Sequence, residues 1–122
     1  MEQILKQSNK MRVAEDDLEN IQQSHGGYDF YEYNGKPFSG YMVMDYHPNG
    51  FVMFEEEYKE GEHVGWDNLY YENGQLNSET LMVGATPIDC IKYDDEGNIT
   101  NPSRPLVSSE RYEHYVKTYN LD

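Results

Sequence analysis

The sequence lacks most features that identify secreted, membrane-spanning or thiolate-metal proteins. It contains one cysteine, Cys90, in 122 residues, which excludes an internal disulfide framework and a cysteine-based zinc site. No apolar run approaches the ~20 residues of a membrane span. The N-terminus reads MEQILKQSNKMRVAEDD, which is polar, mixed in charge and unlike a signal peptide. These absences predict a cytoplasmic protein.

Basic residues are also scarce. Lys and Arg number 9 against 23 Asp and Glu, which gives a formal net charge of -14. Nucleic-acid phosphates need a basic footprint, so we expect no nucleic-acid binding. Binding to an anionic membrane is disfavoured for the same reason. A strongly acidic surface instead speeds encounter with a basic partner, although solubility alone is a second explanation of the charge.

Tyrosine and a glycine-containing repeat are what the sequence has in abundance. There are 12 tyrosines, while hydrophobic residues make up 37% of the chain, a composition that suggests a sheet with one face near water. Asn-Gly or a close relative recurs at Asn34-Gly35, Asn49-Gly50, Asn73-Gly74 and Glu96-Gly97. Two successive units, starting at Gly50 and Gly74, align Val52 with Leu76 and Glu55 with Glu79. The sequence therefore contains an internal repeat.

This repeat predicts a mainly β fold, a meandering antiparallel sheet of repeated hairpins. Asn-Gly between β-rich runs is a strong hairpin signal, because a type I′ turn needs two residues at positive φ. We place strands near 28–33, 38–46, 51–59, 66–72, 75–82 and 88–94. Apolar side chains fall on both faces of the third strand, which indicates a bulge or a strong twist.

The two ends of the chain differ from the repeat. Residues 14–23 predict a short helix with Leu18 and Ile21 on one face. Residues 101–105, NPSRP, are interpreted as a linker. Beyond it, helical spacing with a cap at Ser108 or Ser109 predicts a C-terminal helix, whose apolar stripe is Tyr112, Tyr115, Val116 and Tyr119. The chain is thus one domain, with an N-terminal helical lead-in (1–27), hairpin repeats (28–100), and a linker with a C-terminal amphipathic helix (101–122).

The sequence contains no motif for catalysis or for cofactor binding. The histidines His25, His47, His63 and His114 lack metal-ligand spacing, and Cys90 has no identifiable activating base. Glu55 and Glu79 on neighbouring hairpins resemble an acid/base pair, but a residue repeated in successive units is usually structural. We therefore expect no enzyme, no catalytic residue, no cofactor, no metal site and no small-molecule substrate.

The repeat pattern resembles a known family. Between Tyr31 and Ile99 the chain repeats the pattern YxxNG followed by xLxxExxYxxGxxxG. This pattern is similar to the MORN-repeat variant of bacterial antitoxin and immunity proteins of the YwqK type. The segment YEYNGKPFSGY resembles the start of such proteins, whereas the third unit, GATPIDCIKYDDEG, is degenerate. The resemblance implies a sheet of hairpins that neutralises a cognate toxin, often a nuclease or a deaminase.

The resemblance and the acidity together favour an immunity protein or antitoxin that binds a basic toxin. Strand alternation predicts which residues bind that partner: the acidic Asp45, Glu55, Glu57, Asp67 and Glu79, and the aromatic Tyr46, Trp66 and Tyr70. For Trp66 and Tyr70, packing inside the protein is the competing interpretation. The alternative function is a MORN-type scaffold or protein-interaction module that has no toxin partner.

Overall fold

The computed structural model describes residues 2–21 and 30–121, without the side chains of 103 and 104. Its regular elements in chain order are the strands β1 (Arg12–Ala14), β2 (Glu19–Asn20), β3 (Tyr31–Tyr33), β4 (Lys36–Pro37), β5 (Gly40–Tyr46), β6 (Val52–Tyr58), β7 (Val64–Tyr70), β8 (Leu76–Val83), β9 (Thr86–Tyr93) and β10 (Ile99–Pro105), and the helix α1 (Ser109–Tyr119).

Seven strands form one sheet in the order β1-β5-β6-β7-β8-β9-β10. From β5 to β10 each strand pairs antiparallel with the next along the chain, whereas β1 pairs parallel with β5. The short strands β2, β3 and β4 form a second antiparallel sheet. The predicted mainly β, meandering sheet is therefore confirmed, with one parallel edge strand that the sequence did not indicate. Register shifts within the β5–β6 pair account for the imperfect alternation of β6.

Three hairpin turns at one end of the large sheet share one hydrogen-bonding pattern. In each turn a glycine N–H donates to the carbonyl three residues earlier, from Gly50 to His47, from Gly74 to Tyr71 and from Gly97 to Asp94. The three glycines have φ of 91°, 93° and 89°, a left-handed conformation that glycine adopts without strain.

These turns are not of the type that the asparagines predicted. Asn49 and Asn73 are not among the residues with positive φ, so type I′ geometry is absent there. Two consecutive residues at positive φ occur at Asn34 and Gly35, with φ of 53° and 79°. Asn49 and Asn73 instead use their side chains: Oδ1 accepts from the backbone N–H two residues later, while Nδ2 donates to a carbonyl of the neighbouring turn.

Both faces of the large sheet are covered in part. The small sheet packs through Tyr31 and Tyr33 against Met42 and Tyr58. On the other face α1 packs its side chains Tyr112, Tyr115, Val116 and Tyr119 against the sheet, which confirms the predicted C-terminal helix. Ser108 caps that helix by accepting a hydrogen bond from the Arg111 N–H at 3.3 Å.

Two expectations at the chain ends need correction. The helix predicted over 14–23 is reduced to one 3-10 turn, Glu15–Asp17, between β1 and β2; residues 22 and 23 lie outside the described residues. Residues 101–105 belong to β10 rather than to a linker, because the backbone of this segment pairs with β9 despite its two prolines. No helix in the described part of the chain is long and apolar enough to span a lipid bilayer.

Candidate functional site

The N-terminal strap, residues 2–12, lies against the same face of the large sheet as α1. It brings three cations to three glutamates, in the pairs Lys6–Glu79, Lys10–Glu57 and Arg12–Glu55. Strand pairing explains why the glutamates share a face, because Asn68 on β7 lies opposite both Glu55 on β6 and Glu79 on β8. Directly opposite residues of an antiparallel pair point to the same side.

Glu55 is fully buried and accepts hydrogen bonds from three side chains. The guanidinium of Arg12 donates to both carboxylate oxygens, from Nε at 3.0 Å and from Nη2 at 2.9 Å. Asn68 Nδ2 and the Tyr70 hydroxyl donate to Oε2 at 2.9 and 2.7 Å. Burial raises the pKa of Tyr70 well above its ordinary value, and the negative charge of Glu55 raises it further, so Tyr70 stays a donor at neutral pH.

The next repeat unit reproduces this tyrosine–glutamate contact. The Tyr93 hydroxyl donates to Glu79 Oε1 at 3.1 Å, while Lys6 Nζ donates to Glu79 Oε2 at 2.6 Å. Burial, followed by the charge of Glu79, raises the pKa of Tyr93 to about 12. Lys6 also lies 3.8 Å from the ring centroid of Trp66, a cation–π distance. The aligned residues Glu55 and Glu79 therefore have equivalent environments, each with a tyrosine and a cation.

Glu57 occupies a position that leaves no room for a side chain on the neighbouring strand. Its Oε1 accepts a hydrogen bond from the Trp66 N–H at 2.9 Å, and its Oε2 accepts from Lys10. A Cβ atom on Gly65 would lie 2.3 Å from Oε1. Glycine at 65 therefore allows the Glu57 carboxylate to lie against the backbone of β7.

A second cluster of ionisable side chains lies on the opposite face of β6 and β7. It consists of Glu56, His63 and Asp67, one ligand-type atom of each lying within 4.8 Å of the others. His63 Nε2 donates to Asp67 Oδ1 at 2.7 Å, and the Tyr58 hydroxyl donates to Glu56 Oε1 at 3.2 Å. Desolvation raises the pKa of both Glu56 and Asp67.

The three equivalent turns form an exposed acidic edge. Asn49 Nδ2 donates to the carbonyl of Glu72 at 2.8 Å, and Asn73 Nδ2 donates to the carbonyl of Asp95 at 3.3 Å, so each turn is fixed to the next. We define the acidic turn edge as the exposed carboxylates at this end of the sheet together with Tyr46, namely Asp45, Tyr46, Glu72, Asp95 and Glu96.

The residues predicted to bind a partner fall into three environments. Asp45 and Tyr46 are exposed, with Tyr46 at 49%. Trp66 is half-buried on the strap face, and Asp67 is 9% exposed on the opposite face. Four others are buried and hydrogen-bonded beneath the strap: Glu55, Glu57, Tyr70 and Glu79. The structure thus brings five of the eight together on the strap face, and their role in binding a partner stays a prediction.

Sequence reasoning missed the Glu56–His63–Asp67 cluster and the cations of the strap. His63 and Asp67 are four residues apart, but one histidine and one carboxylate at this spacing do not by themselves form a typical metal-site motif. Glu56 joins them across the β6–β7 hairpin, so a hairpin register applied to carboxylates as well as histidines could have found the cluster. No local sequence pattern indicates the contacts of the strap, because their partners are far apart in the chain; Lys6 and Glu79, for example, are separated by 73 positions.

Comparison of the chain with protein-family models, with curated proteins and with solved structures finds no match.

Proposed function

We propose that the protein is a non-enzymatic immunity protein, or antitoxin, that binds and neutralises a basic protein toxin of the nuclease or deaminase type. The repeated hairpins and their resemblance to the MORN-repeat variant support the fold that such a role uses. A repeat architecture does not by itself define a function, so the argument depends on the surface.

The observation that carries the proposal is the distribution of charge between the inside and the outside. Three of the 9 basic residues are bound to buried glutamates, so they contribute little positive potential outside. The exposed cations in the described part of the chain are Lys36, Lys92, Arg111 and Lys117. Its exposed carboxylates are Glu2, Glu15, Asp16, Asp17, Glu19, Asp45, Glu60, Glu62, Glu72, Asp95, Glu96, Glu110 and Glu113. This surface favours a basic partner.

The acidic turn edge is the part of this surface best suited to bind a basic cleft. Equivalent turns are two strands apart, so Glu72 and Asp95, which occupy the same position in the second and third turns, lie about 10 Å apart along the edge. Hydrogen bonds between the turns fix this spacing, so little conformational entropy is lost when a partner binds. Tyr46 lies beside the row and is 49% exposed, and tyrosine is enriched among residues that dominate binding energy.

Co-expression with the neighbouring open reading frames tests the proposal. Each frame is expressed alone and together with the full chain, and growth is measured. We expect one neighbour to encode a basic protein that stops growth alone, is harmless with the chain, and co-purifies with it in stoichiometric amount. If every neighbour is harmless alone, or if the toxic one is not neutralised, the proposal is wrong. A harmless neighbour that co-purifies would instead support the MORN-type interaction module.

A further inference from the structure

We propose that Glu56, His63 and Asp67 form a binding site for a divalent transition-metal cation. This site goes beyond the proposed function and does not depend on it. The sequence predicted no metal site, because no histidine lies within four residues of another and none has a neighbouring ligand pattern typical of a metal site. The folded chain instead supplies one imidazole nitrogen and two carboxylate oxygens from adjacent strands and the loop that joins them.

The distances between the three donors are close to those that a shared ion requires. Zn–N and Zn–O bonds are about 2.0–2.2 Å long, so two donors on one ion lie between about 3 and 4.4 Å apart. His63 Nε2 and Asp67 Oδ1 are 2.7 Å apart, and all three donor atoms lie within 4.8 Å. An ion between them requires the His63 and Asp67 atoms to move apart by about 0.3 Å or more, and side-chain rotations bring the donors to bonding distance.

Tyr58 holds two of the three ligands in place. Its hydroxyl donates to Glu56 Oε1 at 3.2 Å, and its ring stacks on the His63 imidazole with centroids 5.1 Å apart. Tyr58 itself is only 3% exposed and packs in the core beneath the small sheet. Its burial fixes the orientation of both ligands before a cation arrives, in the way that groups around metal ligands commonly do.

The two faces of the sheet differ in how their carboxylates are neutralised, and this difference points to a cation. On the strap face each of Glu55, Glu57 and Glu79 has its own lysine or arginine. On the opposite face the described residues offer Glu56 and Asp67 no lysine or arginine, and the pair shares one imidazole. One imidazole carries at most one positive charge against two carboxylates, so the cluster has an excess of negative charge that a divalent cation would offset.

The donor set selects the kind of cation. Imidazole favours transition metals over Ca²⁺ and Mg²⁺, whereas two carboxylates extend the range towards Mn²⁺ and Fe²⁺. Binding requires a free electron pair on His63 Nε2. When the metal takes Nε2, a ring protonated on both nitrogens releases the Nε2 proton to solvent, whereas in a ring protonated on Nε2 alone that proton moves to Nδ1. Three protein ligands leave further coordination positions for water.

Calorimetric titration of the full-length chain, freed of metal by a chelator, with ZnCl2 and MnCl2 tests the site. We expect one saturable equivalent of Zn²⁺ and a much weaker response to CaCl2. His63→Gln and Asp67→Asn should each weaken Zn²⁺ binding at least about tenfold. The matched control is His114→Gln, which removes an exposed histidine on α1 and should leave the affinity unchanged.

Two further measurements keep the outcome clear. Thermal unfolding without metal shows whether each variant is folded, and Glu56→Gln, at a less buried ligand, replaces any variant that is not. The imidazole ¹⁵N resonances of His63 should show that Zn²⁺ bonds to Nε2. If no saturable Zn²⁺ binding occurs, or if only His114→Gln removes it, the proposal is overturned and the cluster is an ordinary His–Asp ion pair.

Discussion

The guanidinium of Arg12 forms a bidentate pair with the carboxylate of Glu55, at 3.0 Å from Nε to Oε1 and 2.9 Å from Nη2 to Oε2. Glu55 has no solvent exposure, and the two residues are 43 positions apart in the chain. The pair therefore connects the N-terminal strap to β6 of the repeats. Such a pair adds little net stability compared with an apolar pair, but it becomes costly when one partner is removed.

We expect Arg12→Ala to destabilise the protein by about 3–5 kcal/mol, because the charge of Glu55 is left buried without a cation. Urea unfolding at pH 7 measures this loss. Arg111→Ala is the control, since Arg111 is exposed on α1 and its loss should cost less than about 0.5 kcal/mol. Equal effects of the two substitutions would show that the strap does not neutralise Glu55.

The two tyrosine–glutamate hydrogen bonds should contribute different amounts to the free energy of unfolding. Tyr70→Phe should cost about 1.5–3 kcal/mol, the range for a hydrogen bond to a charged group, because Tyr70 is 1% exposed and its acceptor Glu55 is fully buried. Tyr93→Phe should cost less, since Tyr93 is half-buried and water can replace its hydroxyl. Chemical unfolding of the two variants gives the comparison, and the reverse order contradicts it.

Alanine substitutions at Gly65 and Gly84 test the close approach of the Glu57 side chain to β7. Both glycines have positive φ, 131° and 60°, but only at Gly65 would a Cβ atom meet another side chain, at 2.3 Å from Glu57 Oε1. Gly84→Ala should therefore cost only about 1 kcal/mol of backbone strain. We expect Gly65→Ala to cost more than that, because alanine is more strained at a φ of 131° than at 60° and because the Glu57 carboxylate must leave its hydrogen bond to the Trp66 N–H. A similar loss of unfolding free energy for both variants contradicts this account.

We expect Asp94, in the third turn, to make the stability of the protein depend on pH. Hydrogen bonds to its carboxylate from Asn98 and from the backbone of the turn lower the pKa of Asp94. A lowered folded-state pKa stabilises the protein above the unfolded-state pKa of ~3.9, and this contribution is lost as the pH falls through the folded-state value. Asp94→Asn should therefore be less stable than the parent at pH 7, with a gap that closes below about pH 4. A gap that widens on acidification has the wrong sign.

The repeat made the hairpins predictable from local sequence. Six of the strands found in the structure overlap predicted ones, because the turn glycines from Gly50 onward recur at nearly equal spacing and each turn depends on nearby residues. β10 was missed because two prolines in residues 101–105 are typical of a linker. The helix predicted over 14–23 was wrong because Val13 and Leu18 instead join the core near Met42, and this long-range packing overrides helix propensity.

The candidate sites were harder to predict than the fold. The alignment of Glu55 with Glu79 correctly indicated equivalent positions, but alternation alone cannot show which face of a sheet is covered. The strap covers that face, and its contacts join residues that are 43, 47 and 73 positions apart. Asp45 and Tyr46 are exposed because β5 ends there at the open edge of the turns.

The central claim is that the acidic turn edge binds a basic toxin. The most direct test is the Kd of the purified toxin for two variants that change the net charge equally: Glu72→Gln/Glu96→Gln on the edge and Glu110→Gln/Glu113→Gln on α1. All four glutamates are exposed. We predict that the edge variant binds at least about tenfold more weakly than the parent, a loss of about 1.4 kcal/mol, while the α1 variant binds within about twofold of it. Equal weakening by both variants would contradict the claim.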